Sequence, residues 1–328
     1  MSHRIDAGFL GIGMASGHRR DNAALESQWQ LPPGEILRQS GVRSRQVLPP
    51  EMSQARFAAD AVEDALAAGG LAAADIDLLI ATAAVPQQAI PCTAAFIAAE
   101  LGLAPGTPAF DVNASCLGFV VALHNALHLL DRYGTIAVVA ADIASRGVDW
   151  RDVHTASIFG DGAAAVILSR EGGARFRCLA YDYGVHPEGR ALCEIRGGGT
   201  ARHARAGMSE ADFYFRMDGH AVFKMAIAHL PPFTARLLAR AGWDFADVDH
   251  VIAHQASHLG MQHAQRHLPF RAGSVIDIYA EHGNQVSASI PVVLAHAARA
   301  GHLAPGARLL LLGTAAGFAI GGMALEML

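Results

Sequence analysis

Apolar positions in this chain follow two rhythms. Short, nearly unbroken runs at Gly8–Ala15, Asp75–Thr82, Thr135–Ala141 and after Gly162 predict strands covered on both faces. Between them lie stretches of helical period: alanine-rich Met52–Ala68 stopped by Gly69-Gly70, Cys92–Leu101 behind Pro91, and a long apolar helix opening at Cys116. Strand and helix alternating in this way predict an α/β fold. Residues 31–50, punctuated by proline and glycine, read as loop. Residues 172–216 lose periodicity around Gly197-Gly-Gly199 and read as a mobile, loop-rich segment over one face of the core. The tail, 307–328, is apolar enough for a membrane anchor, but Gly313, Gly317, Gly321 and Gly322 cut it into two strand-length runs joined by a glycine turn. Gly11-Ile-Gly13-Met-Ala-Ser-Gly17 is expected to be a tight turn, because no helix start or acidic strand end follows it as a dinucleotide loop requires.

The chain also repeats itself. Residues 74–84 align without gaps on 246–256, with six of eleven positions identical at an offset of 172. The same offset carries Asp111–Cys116 onto Gly283–Ala288, and Gly160–Leu168 echoes Gly317–Leu325. The reading is a duplicated α/β unit, 1–172 and 173–328, the second including the loop-rich 172–216. Pseudo-twofold packing of two such halves brings matching strand-to-helix junctions to one cleft, with Cys116 from the first half and His254 and Asn284 from the second.

Composition narrows the classes. The 328 residues, 52% hydrophobic and 17% charged, suffice for a large core. A formal net charge of −5 with the signs interspersed leaves neither a nucleic-acid footprint nor a polybasic membrane patch. Cys92, Cys116, Cys178 and Cys193 form no CxxC pair, which fits a reducing, cytoplasmic compartment. Met1-Ser-His-Arg-Ile-Asp6 offers no signal-peptide core of adequate length.

Cys116 stands where an apolar run ends and a helix begins, a place where unpaired N–H groups and the helix macrodipole favour a thiolate nucleophile. Many cysteines merely fill space, so its partners decide the reading. His254 ends the repeated strand and Asn284 lies in the loop matching that of Cys116; alone, each reads equally as a satisfied histidine or a loop residue. His254 and His258, four apart, invite a zinc reading, but no cysteine or carboxylate completes the set and no metal is expected.

Taken together, Asp111-Val-Asn-Ala-Ser-Cys116-Leu-Gly-Phe, Ile158-Phe-Gly-Asp-Gly-Ala-Ala-Ala, Val222-Phe-Lys, His254-Gln-Ala, His282-Gly-Asn284-Gln-Val-Ser-Ala-Ser-Ile-Pro291 and Gly317-Phe-Ala-Ile-Gly-Gly resemble the β-ketoacyl-[acyl-carrier-protein] synthase III family. The resemblance runs nearly end to end. It implies a thiolase-like α/β fold, internally duplicated in a five-layer α-β-α-β-α core, and a homodimer. It also implies that an acyl thioester loads Cys116, and that a malonyl thioester then loses CO2 and condenses with the acyl group. His254 and Asn284 would donate hydrogen bonds to the developing negative charge, and backbone N–H groups of Cys116 and the Gly317-Phe318 turn would hold the tetrahedral oxyanion. The implied partners are acyl-CoA or acyl-ACP, malonyl-ACP or malonyl-CoA, and acyl carrier protein; beyond these phosphopantetheine thioesters no cofactor is expected. Lys224 and Arg266 match positions that dock the carrier protein, while Leu259 stands where a base is often found.

The departures are informative. Glu35 and Gln39 replace a tryptophan and an arginine that grip the adenine end of coenzyme A, with Trp29 or Arg38 as compensation and Arg45 as the retained arginine. His220 replaces an asparagine beside Gly219 and Phe223 in the substrate tunnel, and Ile90 replaces a bulky aromatic that caps the partner subunit's acyl pocket. A primer longer than acetyl, or otherwise unusual, and a dedicated pathway are the expectations. Two rivals stand beside condensation: transfer of the acyl group from Cys116 to an alcohol or amine, and a non-catalytic partner subunit, which typically lacks the nucleophile kept here.

Overall fold

The computed structural model describes residues 4–203, 205 and 207–328; the expectation for Met1-Ser2-His3 and that part of the 172–216 expectation falling on Ala204 and Ala206 lie outside them. The first half runs β1 (Ile5–Met14), β2 (Arg19–Asp21), α1 (Asn22–Gln28), α2 (Glu35–Ser40), β3 (Ser44–Gln46), α3 (Gln54–Gly69), β4 (Leu78–Thr82) and α4 (Thr93–Glu100). It continues through β5 (Ala109–Asp111), α5 (Gly118–Leu129), β6 (Thr135–Asp142), α6 (Val153–Ala156) and β7 (Gly162–Ser169). The second comprises β8 (Ala174–Val185), β9 (Cys193–Glu194), β10 (Arg216–Met217), α7 (Gly219–Ala241), β11 (His250–Ala253) and α8 (His258–His267). It closes with α9 (Tyr279–His282), α10 (Ser289–Arg299), β12 (Arg308–Ala315) and β13 (Ala319–Met327).

Among the described residues nine strands pair in the order β11-β12-β13-β8-β1-β7-β6-β4-β5. The duplication is visible in that order. Outward from the β1–β8 seam, β7, β6 and β4 answer β13, β12 and β11, and the place of β5 is taken in the second half by a single bridge of Val251 to Val275. Even the entry turns match: Asp75 caps the N–H of Ala72 at 2.8 Å and Asp247 that of Asp244 at 2.7 Å.

The alternation of strand side chains explains the layering. On β6, Ile136, Val138 and Ala140 face a central core made with α5 and α10, whereas Ala137, Val139 and Ala141 face α3 and α4. On β12, Leu309 and Leu311 face the same central core, while Leu310 and Leu312 face α7. The result is helices outside, a half-sheet, helices α5 and α10, the other half-sheet and helices outside again, the expected five-layer arrangement. Among the described residues no helix is long and apolar enough to cross a membrane. The tail forms β12 and β13 around a turn with Gly317 at φ +76°.

Three expectations are corrected. Gly11 and Gly13 do not form a turn; they lie within β1, pressed against α3, and a Cβ at Gly11 would meet the Ala65 carbonyl oxygen at 1.9 Å. The segment 172–216 is not loop throughout. Its first part is the twelve-residue β8, which joins the halves of the sheet: Phe176 and Cys178 are buried while Arg175 and Arg177 stay at the surface, and the charged alternates obscure the period. Residues 31–50 hold the short helix α2 and strand β3.

Because neither β1 nor the α3 backbone has room to yield, Gly11→Ala is expected to cost about 3 kcal/mol, the upper range for overpacking. Urea unfolding reads this directly; an unchanged midpoint would mean that the helix moves off the strand freely.

Candidate active site

Cys116 is delivered by a short strand and a strained corner. β5 ends at Asp111, whose carboxylate accepts the N–H groups of Thr93 at 2.8 Å and Ala94 at 2.7 Å. Asn113 braces the next residues: its amide donates to the Ala84 carbonyl at 3.3 Å and its oxygen accepts from Ser115 N–H at 2.9 Å. Ser115 consequently sits at φ +50°, a left-handed conformation that costs a non-glycine residue roughly 1 kcal/mol. Helix α5 then begins at Gly118, where a Cβ would fall 1.9 Å from the Thr82 hydroxyl. Only glycine lets the helix start so close to the end of β4.

His254 follows β11, its N–H bonded to the Leu312 carbonyl at 2.9 Å. It packs over Gly313, where a Cβ would lie 2.7 Å from the histidine Cβ. Asn284 is held from both sides by the 158–160 segment: its N–H donates to the Ile158 carbonyl at 2.8 Å and its carbonyl accepts from Gly160 N–H at 3.1 Å. Its side-chain oxygen accepts from Val286 N–H at 2.9 Å, and its amide donates to the Ala256 carbonyl at 3.2 Å. An amide nitrogen carries two hydrogens, so one donor of Asn284 is left over.

One cavity of about 1650 Å³ is lined by Cys116, His254, Asn284, Gly317 and Phe318, which come from both halves of the chain. Burial pushes the Cys116 thiol up to about 12, against which the backbone N–H groups of Ala316 and of Cys116 itself pull downward. Burial thus works against the thiolate that the helix end favours. Burial also pushes His254 down to about 4, leaving a neutral imidazole whose Nδ1 has no partner.

Several residues here carry no motif of their own. Ala316, one residue before the expected Gly317-Phe318 pair, presents its N–H to the sulfur. Asp142 closes β6 inside the same cavity and accepts from Ser287 N–H and Ala84 N–H, both at 3.0 Å, tying the Asn284 loop to the first half. Burial nevertheless pushes its carboxyl up to about 6. The only sequence signal for Asp142 is a carboxylate one residue beyond the apolar run of β6.

The expected substrate residues divide. Gly219, His220 and Phe223, at the start of α7, line the cavity, and Gln39 does so as well. Trp29 does not; it stacks on Trp150 with centroids 5.6 Å apart. Arg38 is outside too, paired with Glu35 at 2.6 Å. Arg45, expected to touch substrate, is fully buried away from the cavity. Its guanidinium donates to the Ser157 and Phe159 carbonyls and to the Asn22 side chain, and so braces the segment that grips Asn284. Ile90 is 83% exposed and borders a separate small recess beside β5. Lys224 and Arg266 are exposed on α7 and α8, near the contact of Phe223 with His263 and near Leu259, which is 71% exposed.

A duplicated five-layer core with a cysteine at one internal helix start and histidine and asparagine from the other half defines a thiolase-fold enzyme. The profile of 3-oxoacyl-[acyl-carrier-protein (ACP)] synthase III matches residues 110–187, and that of the C-terminal part of the same enzymes matches 238–327. The chain is 33% identical to a beta-ketoacyl-[acyl-carrier-protein] synthase III of Bordetella petrii, over 93% of this chain and 90% of the relative. The crystal structure of the Pseudomonas aeruginosa PAO1 3-oxoacyl-(acyl carrier protein) synthase III superposes with a TM-score of 0.84 at 31% identity, covering 98% of each chain. That of Aquifex aeolicus VF5 gives 0.86 at 27%, covering 98% of this chain and 99% of the other. The chain belongs to the β-ketoacyl-[acyl-carrier-protein] synthase III family and is a condensing enzyme of the acyltransferase class.

If Arg45 braces backbone rather than substrate, Arg45→Ala strips partners from buried carbonyls and should cost about 3 kcal/mol. The KM of the surviving folded fraction for an acyl donor should stay within about twofold, since a group that does not touch substrate adds no uniform binding. A large rise in KM with stability unchanged would restore the substrate role.

Proposed function

We propose that this enzyme takes an acyl group longer than acetyl onto Cys116 and joins it to a malonyl thioester in a decarboxylative Claisen condensation. The observation that carries the reading is the meeting, in one cavity, of the Cys116 sulfur beneath the Ala316 N–H, a neutral His254 and the spare amide hydrogen of Asn284.

In the first step the sulfur attacks the thioester carbonyl; the C–S bond of the donor breaks, and its thiol leaves with the proton given up by Cys116. Burial disfavours an isolated thiolate and an isolated imidazolium alike, so proton transfer from Cys116 to His254 is favoured only as a mutually neutralising pair formed when the donor is present. In the second step the malonyl C–C bond breaks, CO2 leaves, and its electron pair passes to the thioester as an enolate. His254 and Asn284 donate to that oxygen, each such donor being worth about 10²–10³ in rate. The enolate carbon attacks acyl-Cys116; the C–S bond breaks, the thiolate departs, and one proton taken up from solvent restores the free thiol. Backbone N–H groups at Cys116, Ala316 and the Gly317-Phe318 turn serve the tetrahedral oxyanion.

The phosphopantetheine arm of CoA or acyl carrier protein supplies the thioester, and no separate cofactor is involved. Lys224 and Arg266 are exposed cations on α7 and α8, the helices that also give Phe223 and Leu259 to the cavity lining, which supports carrier-protein docking there. The unpaired outer edge of β5, with Phe110 partly exposed and Ile90 standing free nearby, supports a homodimer, and the reducing-type cysteines support a cytoplasmic setting. Ile90 in place of a larger ring supports the longer primer, and the altered Glu35–Gln39 loop supports a specialised fatty-acid or polyketide pathway.

Intact mass after exposure to a panel of acyl-CoA and acyl-carrier thioesters, then malonyl thioester, tests the reading. An adduct lost in Cys116→Ala and discharged with CO2 release by malonyl thioester is expected, with acyl groups beyond acetyl preferred. Asn284→Ala should load normally yet condense about 10²–10³-fold more slowly. An adduct that only alcohols or amines discharge would assign the acyl-transfer chemistry instead. Failure of every thioester to load would mark a partner subunit.

A further inference from the structure

His186, Glu188 and His229 bring two imidazoles and a carboxylate together outside the catalytic cavity, their ligand-type atoms all within 4.8 Å of one another. We propose that they bind one divalent transition-metal ion of the zinc class, which clamps the end of β8 and the middle of α7 to the turn carrying Phe318.

The three side chains come from two separate parts of the fold, the turn after β8 and helix α7. His186 follows the last residue of β8, Glu188 lies in the short turn after it, and His229 comes from α7. The Nδ1 of His186 stands 3.5 Å from the Glu188 carboxylate, and the His186 and His229 rings have centroids 4.2 Å apart. Ligands at about 2.0–2.1 Å around a tetrahedral ion stand roughly 3.3 Å apart, so closure from the observed positions requires movements of an ångström or so. Glu188, with its side chain 62% exposed, has the freedom to make them. Two imidazole nitrogens and one carboxylate select a borderline ion such as Zn2+ over Mg2+ or Ca2+, which take oxygen ligands. The exposed side of the cluster leaves a fourth position to water.

The site touches the catalytic architecture through one residue. His186 N–H donates to the Phe318 carbonyl at 2.8 Å, and the Phe318 ring lies 5.6 Å from the His186 ring and 6.2 Å from the His229 ring. Phe318 lines the Cys116 cavity at φ +34°, a strained value that needs support from its surroundings. An ion holding His186 against His229 supplies such support, and the proposal does not depend on which acyl chemistry Cys116 performs.

The test uses ZnCl2 alone in a non-chelating buffer, with metal content per chain after gel filtration, competition against a chromophoric chelator, and the thermal midpoint with and without metal. The proteins are the full-length chain, His229→Ala, Glu188→Gln and Cys116→Ala. One Zn2+ per chain is expected for the parent and for Cys116→Ala. A loss of at least tenfold in affinity is expected for both His229→Ala and Glu188→Gln, and the metal-dependent rise in midpoint should vanish in His229→Ala. Glu188 is at the surface, so its variant remains informative if His229→Ala fails to fold. Absence of bound zinc in the parent, or unchanged affinity in Glu188→Gln and any folded His229→Ala, would overturn the proposal; loss of zinc only in Cys116→Ala would place the metal on the nucleophile instead.

Discussion

The whole architecture depends on burying two helices, α5 and α10, between two half-sheets. Both helices are apolar over most of their surface, with polar residues such as Asn125 and His128 of α5 and Arg299 of α10 left toward solvent, and the start of each must be satisfied by backbone and side chains of the sheets that enclose it. That requirement drives the glycines at the junctions. Gly118 admits the Thr82 hydroxyl, and Gly313 admits His254 and Leu117. The loop that feeds α10 is in turn tied to the first half: Asp142, at the end of β6, accepts from the N–H and the hydroxyl of Ser287 just before α10. The cavity is the consequence of that meeting, and Cys116, His254 and Asn284 occupy it because the junctions do.

Burial on this scale decides the electrostatics of the site. The Cys116 thiol is pushed up, the His254 imidazole down and the Asp142 carboxyl up, all by the same loss of water. At these three groups the fold suppresses charge, while the unused amide hydrogen of Asn284 and the backbone N–H of Ala316 stay directed at the same space. Holding those donors still has a cost that is visible in the backbone. Ser115, Val286 and Phe318 all take positive φ without being glycine, at +50°, +54° and +34°, and each adjoins a residue of the cavity. The bonds around them, from Asn113, Asn284 and His186, are what over-determine these conformations.

Much of this was legible in the sequence because duplication and strict alternation leave periodic marks. The gapless match of 74–84 to 246–256 corresponds to equivalent turns and the parallel strands β4 and β11. What escaped were features defined by depth alone. An arginine in a proline-rich loop reads as a surface group, and nothing in the letters around Arg45 says that it is sunk among carbonyls. Gly11 and Gly13 read as a turn because glycine serves turns and close approaches alike, and only the neighbouring helix α3 distinguishes them. β8 was hidden because a strand at the seam of two half-sheets alternates arginine and aspartate with its apolar residues and so resembles loop composition.

The altered first loop shows how far a substitution is absorbed locally. Glu35 introduces a negative charge where family members carry a ring, yet Arg38 and Gln39 both donate to that carboxylate and hold it below the usual range. Arg38, which on sequence grounds replaces a missing cation, therefore spends its charge on Glu35 rather than on a donor. Of the altered positions only Gln39 reaches the cavity rim, as a neutral amide beside Ser40. A loop neutralised in this way offers little to the phosphates of a coenzyme and no free aromatic face, since Trp29 is stacked on Trp150. The contrast is with the start of α7, where Gly219, His220 and Phe223 line the cavity itself.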